Sequence, residues 1–153
     1  MEILELHTLT DSQVLDIQAL MEELESGVTV PAERIVSVAE APGTHFFAAV
    51  EESGRIVGCA TLCVYDIPTG RKAWVEDVVV HSSCRGQHLG KRLMEHIIDF
   101  ARREMGEIAL HLTSRPQRVA ANQLYRSLGF QQRETNVYKL EIRTQPDAAT
   151  ASK

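Results

Sequence analysis

The stretch Val78-Val79-Val80-His81-Ser82-Ser83-Cys84-Arg85-Gly86-Gln87-His88-Leu89-Gly90-Lys91-Arg92-Leu93 passes from a β-branched run, through a polar turn with two glycines, into helical spacing. A run of three valines cannot alternate polar and apolar faces, so it belongs to a central strand covered on both sides. Downstream, Leu89, Leu93, His96, Ile97 and Phe100 fall near one stripe of a helix that reaches about Met105. Between strand and helix, successive backbone N–H groups meet the positive end of the helix dipole, and glycine lets the main chain approach a diphosphate closely. Arg85, Lys91 and Arg92 add charge-assisted contacts. A plain tight turn with exposed basic residues has the same Gly-x-x-x-Gly spacing. A Walker loop does not fit, because Lys91 is followed by Arg92 rather than Ser or Thr, and there is no Gly-x-Gly-x-x-Gly for a dinucleotide turn.

Upstream, Glu2 to His7 alternates as a short strand, and Thr10 with Gln13 signals a capped helix carrying Val14, Ile17, Met21 and Leu24 on one side. Thr29 and Pro31 open a second helix that runs to about Ala39, ahead of Ala41, Pro42 and Gly43. His45 to Val50 and Ile56 to Tyr65 then read as a hairpin around Gly54, followed by a strand from Ala73 to His81. After the long helix come a strand at Glu107 to Thr113, a helix at Arg118 to Leu128 closed by Gly129, and two strands near Gln131 to Glu134 and Val137 to Ile142. The expected order is β-α-α-β-β-β-α-β-α-β-β, one domain over residues 1–142, with a disordered tail from Arg143 to Lys153.

Composition narrows the function. With 16 Lys plus Arg against 21 Asp plus Glu, the net charge of −5 offers no general attraction to nucleic acid or anionic lipid. No apolar run approaches a membrane helix, and the N-terminus lacks the basic start and apolar stretch of a signal peptide. Three cysteines without a Cys-x-x-Cys pair argue against a disulfide framework and a structural zinc, and point to the cytoplasm. His45, His81 and His88 have no ligand spacing, so no metal is expected.

Two motifs carry a resemblance. Arg85-Gly86-Gln87-His88-Leu89-Gly90 is similar to the Arg/Gln-x-x-Gly-x-Gly/Ala loop of the GNAT family of N-acetyltransferases, with His88 standing where the middle glycine falls. Ala121, Leu124, Tyr125, Leu128, Gly129 and Phe130, with Asn122, match that family's later Ala-x-x-Leu-Tyr-x-x-Leu-Gly-Phe signature. The resemblance covers about Ile3 to Ile142. Within it, Val75 to Val80 with Cys84 to Lys91 looks like the glucosamine-6-phosphate N-acetyltransferases, while Thr113 to Phe130 looks like uncharacterised bacterial members.

The resemblance implies an α/β fold with a mixed, mostly antiparallel sheet of six to seven strands, about four helices, and splayed central strands that bind acetyl-CoA as acetyl donor. It implies transfer to a primary amine of a small molecule, and a homodimer built outside the loop. Main-chain groups of Val78, Val79 and Val80 would hold the pantetheine arm, Arg85 to Lys91 (Arg85, Gly86, Gln87, His88, Leu89, Gly90, Lys91) the diphosphate, and Asn122 the arm. Tyr125 would protonate the leaving sulfur, a task suited to a phenol.

Aminolysis also needs a base, because an amine is mostly ammonium at neutral pH. Glu76 is the first choice and Asp77 the second: two acids on an otherwise apolar strand need partners or a cleft. By strict alternation Glu76 shares a face with Val78 and Val80, and Asp77 points away unless a bulge intervenes. Each also reads as a strand carboxylate paired with a nearby cation. Arg115 and Arg118, and Arg71 and Lys72 beside Trp74, are candidates for holding an anionic acceptor or simply for solvating a turn. A domain that only binds acyl-CoA would keep the loop and need neither Glu76 nor Tyr125.

Overall fold

The computed structural model describes residues 1–143; residues 144–153, most of the expected disordered tail, lie outside it. Thr10 closes a full capping box, accepting from the Gln13 amide at 3.2 Å while Gln13 Oε1 accepts from the Thr10 amide at 3.0 Å. That cap starts helix α1 (Asp11–Leu24), after strand β1 (Glu2–Glu5). Pro31 precedes α2 (Ala32–Glu40), where its missing N–H costs nothing. Strands β2 (Thr44–Val50), β3 (Ile56–Ile67) and β4 (Gly70–Val80) follow, then a short 3-10 turn at Ser82–Cys84, helix α3 (Leu89–Met105), strand β5 (Leu110–His111) and helix α4 (Val119–Ser127).

The sheet has the order β1-β2-β3-β4-β5, antiparallel throughout except for the parallel pair β4–β5. Apolar side chains on one face pack with Val14, Ile17, Leu20 and Ile35 of α1 and α2. On the other face Phe47, Ala60, Leu62, Ala73 and Val75 pack with Leu93, Met94 and Ile97 of α3, and Leu124, Tyr125 and Leu128 of α4 lean on the same cluster. Strands β2 and β3 carry the unbroken apolar run expected of strands buried on both faces.

Two expectations change. The strand read at Glu107–Thr113 shrinks to Leu110–His111, because it meets β4 only at Ala73↔Leu110 and Trp74↔His111. No strand is formed at 131–134 or 137–142 among the described residues, where the mixed sheet has five strands against the six to seven expected. Val137, Tyr138, Leu140 and Ile142 are instead exposed. Their alternation is a strand's, but alternation alone supplies no neighbour with which to share backbone hydrogen bonds.

Gly43 shows where the α2–β2 turn is constrained. Its carbonyl accepts from the Val64 amide at 2.7 Å, it has φ +75°, and a Cβ there would lie 2.7 Å from the Val64 carbonyl oxygen. Gly54, at φ +88°, has nothing within 4 Å of the same position. Gly43→Ala is expected to destabilise the fold by about 3 kcal/mol, against about 1 kcal/mol for Gly54→Ala, where only the backbone penalty acts. Urea unfolding of both variants measures the difference.

Candidate active site

The acids of β4 sit at a defect in the sheet. Thr61 pairs with Glu76, but Cys59 pairs with Val79, so β4 carries one residue more than β3 across that interval. Asp77 takes φ +50° there, a left-handed conformation that Asp tolerates better than most side chains. The bulge reverses the alternation. Ala73 and Val75 pack toward α3, yet beyond the bulge Val79 packs with α1 while Val78 and Val80 turn toward α3. Glu76 therefore does not share a face with Val78 and Val80, as strict alternation requires. Opposite Thr61, it lies with Trp74 on the α1 face.

The bulge leaves Asp77 on that same face, where its charge acts on neighbouring groups. Asp77 and Glu76 both hold the Cys63 thiol up, after burial, and Asp77 also acts on buried Cys59. Burial first, and then the charge of Asp77, push the Glu76 carboxyl above its ordinary value. Burial and the neighbouring Glu25 raise Asp77, while Arg118 opposes them. Arg118 likewise opposes the rise that burial imposes on the Tyr125 phenol. One guanidinium thus lies within electrostatic reach of both the bulge acid and the helix tyrosine.

Past Trp74, β4 runs on to Val80 with no strand on its β5 side among the described residues. The open edge leads to the loop. Gly86 has φ +76° and His88 φ +58°, so the histidine adopts the backbone its position demands. His88 gives no side-chain cap, and the first backbone bond of α3 runs from the Arg92 amide to the His88 carbonyl at 3.0 Å. The amides of Leu89, Gly90 and Lys91 are left for an anion. Gly90 packs closely, a Cβ there meeting Leu124 at 3.6 Å and Val80 at 3.8 Å. An arm bearing amides and ending in a diphosphate fits this pair of features: unpaired strand groups, then unpaired helix amides.

The basic residues are partly engaged elsewhere. Arg85 donates to the Val80 carbonyl at 3.2 Å and to Glu23 at 3.0 Å, Lys91 faces Glu95 at 3.7 Å, and Arg92 donates to the Met1 carbonyl at 3.3 Å. Asn122 uses its amide to hold the preceding turn, donating to the carbonyls of Arg115 at 2.9 Å and Arg118 at 3.0 Å. Only its carbonyl oxygen is left to meet a ligand. Arg118 donates to the Leu24 carbonyl at 3.1 Å, and Arg115 lies 3.8 Å from Glu25, so the start of α4 is tied to the end of α1. Trp74 stacks on His111 with centroids 5.0 Å apart, and its buried indole N–H has no acceptor among the described residues. Arg71 pairs with Asp66 on the exposed part of the hairpin.

Two acids were not singled out from the sequence. Glu23 accepts from the Ser82 amide at 2.9 Å, the Ser82 hydroxyl at 3.2 Å and Arg85 at 3.0 Å, and so pins the anion loop to α1. Glu25 faces Asp77 and Arg115. The available signal is their place: Glu22, Glu23 and Glu25 crowd the negative end of the α1 dipole, where carboxylates are unfavourable unless cations meet them.

A strand edge opened beside a helix N-terminus, with paired acids on a bulge, suits a transferase that takes its acyl group from a pantetheine-bearing nucleotide. The chain belongs to the acetyltransferase (GNAT) family, whose model matches residues 13–130, and is an acetyl-CoA-dependent acyltransferase. It is 27% identical over 125 residues to the uncharacterised N-acetyltransferase YhdJ of Bacillus subtilis, covering 80% of this chain and 87% of that protein. An acetyltransferase of Trypanosoma brucei shares the fold at a TM-score of 0.72 and 24% identity, over 92% of this chain and 99% of the other. The glucosamine-6-phosphate N-acetyltransferase of Arabidopsis thaliana does so at 0.70 and 21%, over 91% and 97%.

Because folding raises the Asp77 pKa, the protonated form is favoured in the native state. That stabilisation is present below the ordinary value of 3.8 and is lost as pH rises through the raised one. Asp77→Asn removes the like charge and suits the left-handed backbone, so its gain in Tm is expected to be larger near pH 7.5 (about 3 °C) than near about pH 3. Scanning calorimetry at the two pH values gives the comparison. Separately, Glu23→Ala frees the loop and is expected to weaken CoA binding about tenfold, read by calorimetry.

Proposed function

We propose that residues 1–142 act as one domain that moves the acetyl group of acetyl-CoA directly to the primary amine of a small molecule, with an amino-sugar phosphate as leading acceptor. The carrying observation is the bulge at Asp77, which sets Glu76 and Asp77 on the α1 face just where β4 loses its neighbour on the β5 side. In this reading the open-edge groups of Val78, Val79 and Val80 hold the pantetheine arm. The amides of Gly86 to Lys91 take the diphosphate, and the Asn122 carbonyl oxygen accepts from the arm. Bound acetyl-CoA supplies an acetyl thioester.

Glu76 takes the proton from the acceptor amine. Its raised pKa makes it a stronger base than an ordinary carboxylate, and Asp77, or a water between the two, is the second candidate. As the new N–C bond forms and the C–S bond breaks, Tyr125 gives its phenolic proton to the departing sulfur. An ordinary phenol is protonated at neutral pH, and burial raises this one further. Trp74, Arg115 and Arg118 border the acceptor: the unpartnered indole N–H and the two guanidinium groups suit a phosphate, as the Arabidopsis neighbour's substrate would require. Three thiols, none in a disulfide, suit a reducing compartment, and we assign the enzyme to the cytoplasm.

A second reading of the acceptor rests on Glu25, Glu76 and Asp77: after burial, Asp77 raises Glu76 and Glu25 raises Asp77, and such a group of acids favours a cationic amine such as a polyamine. An amino acid or a protein N-terminus is the remaining alternative. Thiol release from acetyl-CoA over a panel of glucosamine 6-phosphate, polyamines and amino acids separates these. Tyr125→Phe is expected to lower kcat about 100-fold with CoA affinity retained. Glu76→Gln should lower it similarly and remove an acidic limb lying above the ordinary carboxylate value of 4.5. Unchanged turnover removes either residue from its role, and an absence of turnover on every amine, with CoA still bound, leaves a domain that only binds acyl-CoA.

A further inference from the structure

Two buried polar side-chain atoms have no hydrogen-bond partner among the described residues: the Trp74 indole nitrogen and the Ser114 hydroxyl oxygen. Trp74 borders the proposed acceptor. Ser114 lies elsewhere, three residues past the end of β5. Burying an unbonded hydroxyl is costly, and the cost is recovered only when a partner reaches it.

The strand places that hydroxyl. Ile108, Leu110 and Leu112 pack with Leu124 and Tyr125 on the α3 face of the sheet, while His111 stacks on Trp74 on the other. Ser114 is half-buried like Leu110 and Leu112, whereas Ala109, Thr113 and Arg115 are exposed. The alternation thus outlasts the pairing with β4 and carries Ser114 to the face of Tyr125. His111 is level with Trp74 in the parallel register, so Ser114, roughly 10 Å further on, comes level with Asp77 at the bulge. The turn after it is held closed, because the Arg118 amide donates to the Arg115 carbonyl at 3.0 Å and Asn122 donates to the same carbonyl at 2.9 Å. Ser114 therefore stands across the gap from the bulge, on the wall shared with Tyr125.

We propose, resting on the acetyl-transfer reading above, that Ser114 Oγ donates a hydrogen bond to the thioester carbonyl oxygen of acetyl-CoA and makes the donor site prefer acetyl-CoA to free CoA. With the diphosphate at Gly86 to Lys91 and the arm along Val80, Val79 and Val78, the acetyl end comes to the bulge, level with Ser114. The amides of the arm have the strand edge, and the sulfur has Tyr125. The carbonyl oxygen is the remaining acceptor at that level, and a hydroxyl supplies one donor. Ser114 keeps its proton throughout. As the amine nitrogen bonds to the carbonyl carbon, charge moves onto the oxygen and the hydrogen bond strengthens. The C–S bond then breaks with its electron pair on sulfur, which takes the Tyr125 proton, while the proton of the amine goes to Glu76.

Ser114→Ala removes the hydroxyl and little else. Calorimetric titration of the full chain is expected to show acetyl-CoA bound about fivefold more weakly by the variant and CoA bound equally well, with kcat lowered about 100-fold. Infrared difference spectra of acetyl-CoA labelled with carbon-13 at its carbonyl, recorded without amine, should place the bound C=O band below that of free acetyl-CoA in the wild type and show part of that shift lost in the variant. Tm should not fall, because the hydroxyl bonds nothing in the chain. Equal weakening of CoA and acetyl-CoA, a band that the substitution does not move, or a Tm lowered by more than about 3 °C each overturns the proposal. Should the alanine variant fail to fold, Ser114→Cys, whose thiol is a weak donor, gives the same comparison. If the wild-type chain acetylates no amine, the reaction reading falls, and the titration and the band still decide for or against Ser114 from acetyl-CoA alone.

Discussion

Strand β4 must satisfy β3 along its whole length while giving up β5 after Trp74, and most of what this protein can do follows from that asymmetry. Pairing with β3 holds the strand on both sides of the bulge. Losing β5 leaves the backbone on that side without a strand partner among the described residues, Arg85 taking the Val80 carbonyl, and the remaining groups demand a partner. The extra residue at Asp77 arises within the same strand, where β3 and β4 cannot hold register through both halves of the sheet. Asp77 relieves the mismatch in a left-handed conformation that few side chains accept.

Because the bulge inverts the alternation, one strand serves two purposes. Its valines beyond Asp77 face α3 or α1 as core residues, and its two acids share the face beneath the end of α1. There the sheet, α1 and the start of α4 meet. Arg118 ties α4 to the Leu24 carbonyl and lies within reach of both Asp77 and Tyr125. Glu23, two residues before Glu25, holds the anion loop from the same helix. The last turn of α1 thus positions the donor loop on one side and the acceptor face on the other, although it contributes nothing to the motifs by which the family is known.

Wherever local chemistry is sufficient, the elements were legible in the chain itself. The capping box at Thr10, the proline at the start of α2, the glycine turn of the hairpin and the stripe from Leu89 to Phe100 each specify their element by contacts a few residues apart. The anion loop was legible for the same reason, since glycine and basic residues next to a helix start act through their own backbone. Tyr125 and Asn122 came with a motif confined to one helix. By contrast, the sequence suggests a longer β5 and two closing strands where none is paired among the described residues, because a strand exists only through a neighbour supplied from elsewhere.

The sequence by itself determined the family, the loop, the helices and the presence of two acids on a valine-rich strand. Tertiary structure alone decided which way those acids face, since strict alternation gives Glu76 to the wrong side and only the register of β3 against β4 reveals the inserted residue. It alone also decided the roles of Glu23, Glu25 and Arg118, whose partners Ser82, Arg85, Arg115 and Leu24 lie far away along the chain. The physical reason is common to both: periodicity records what a residue does within its own element, and a bulge or a long-range ion pair is a property of two elements brought together.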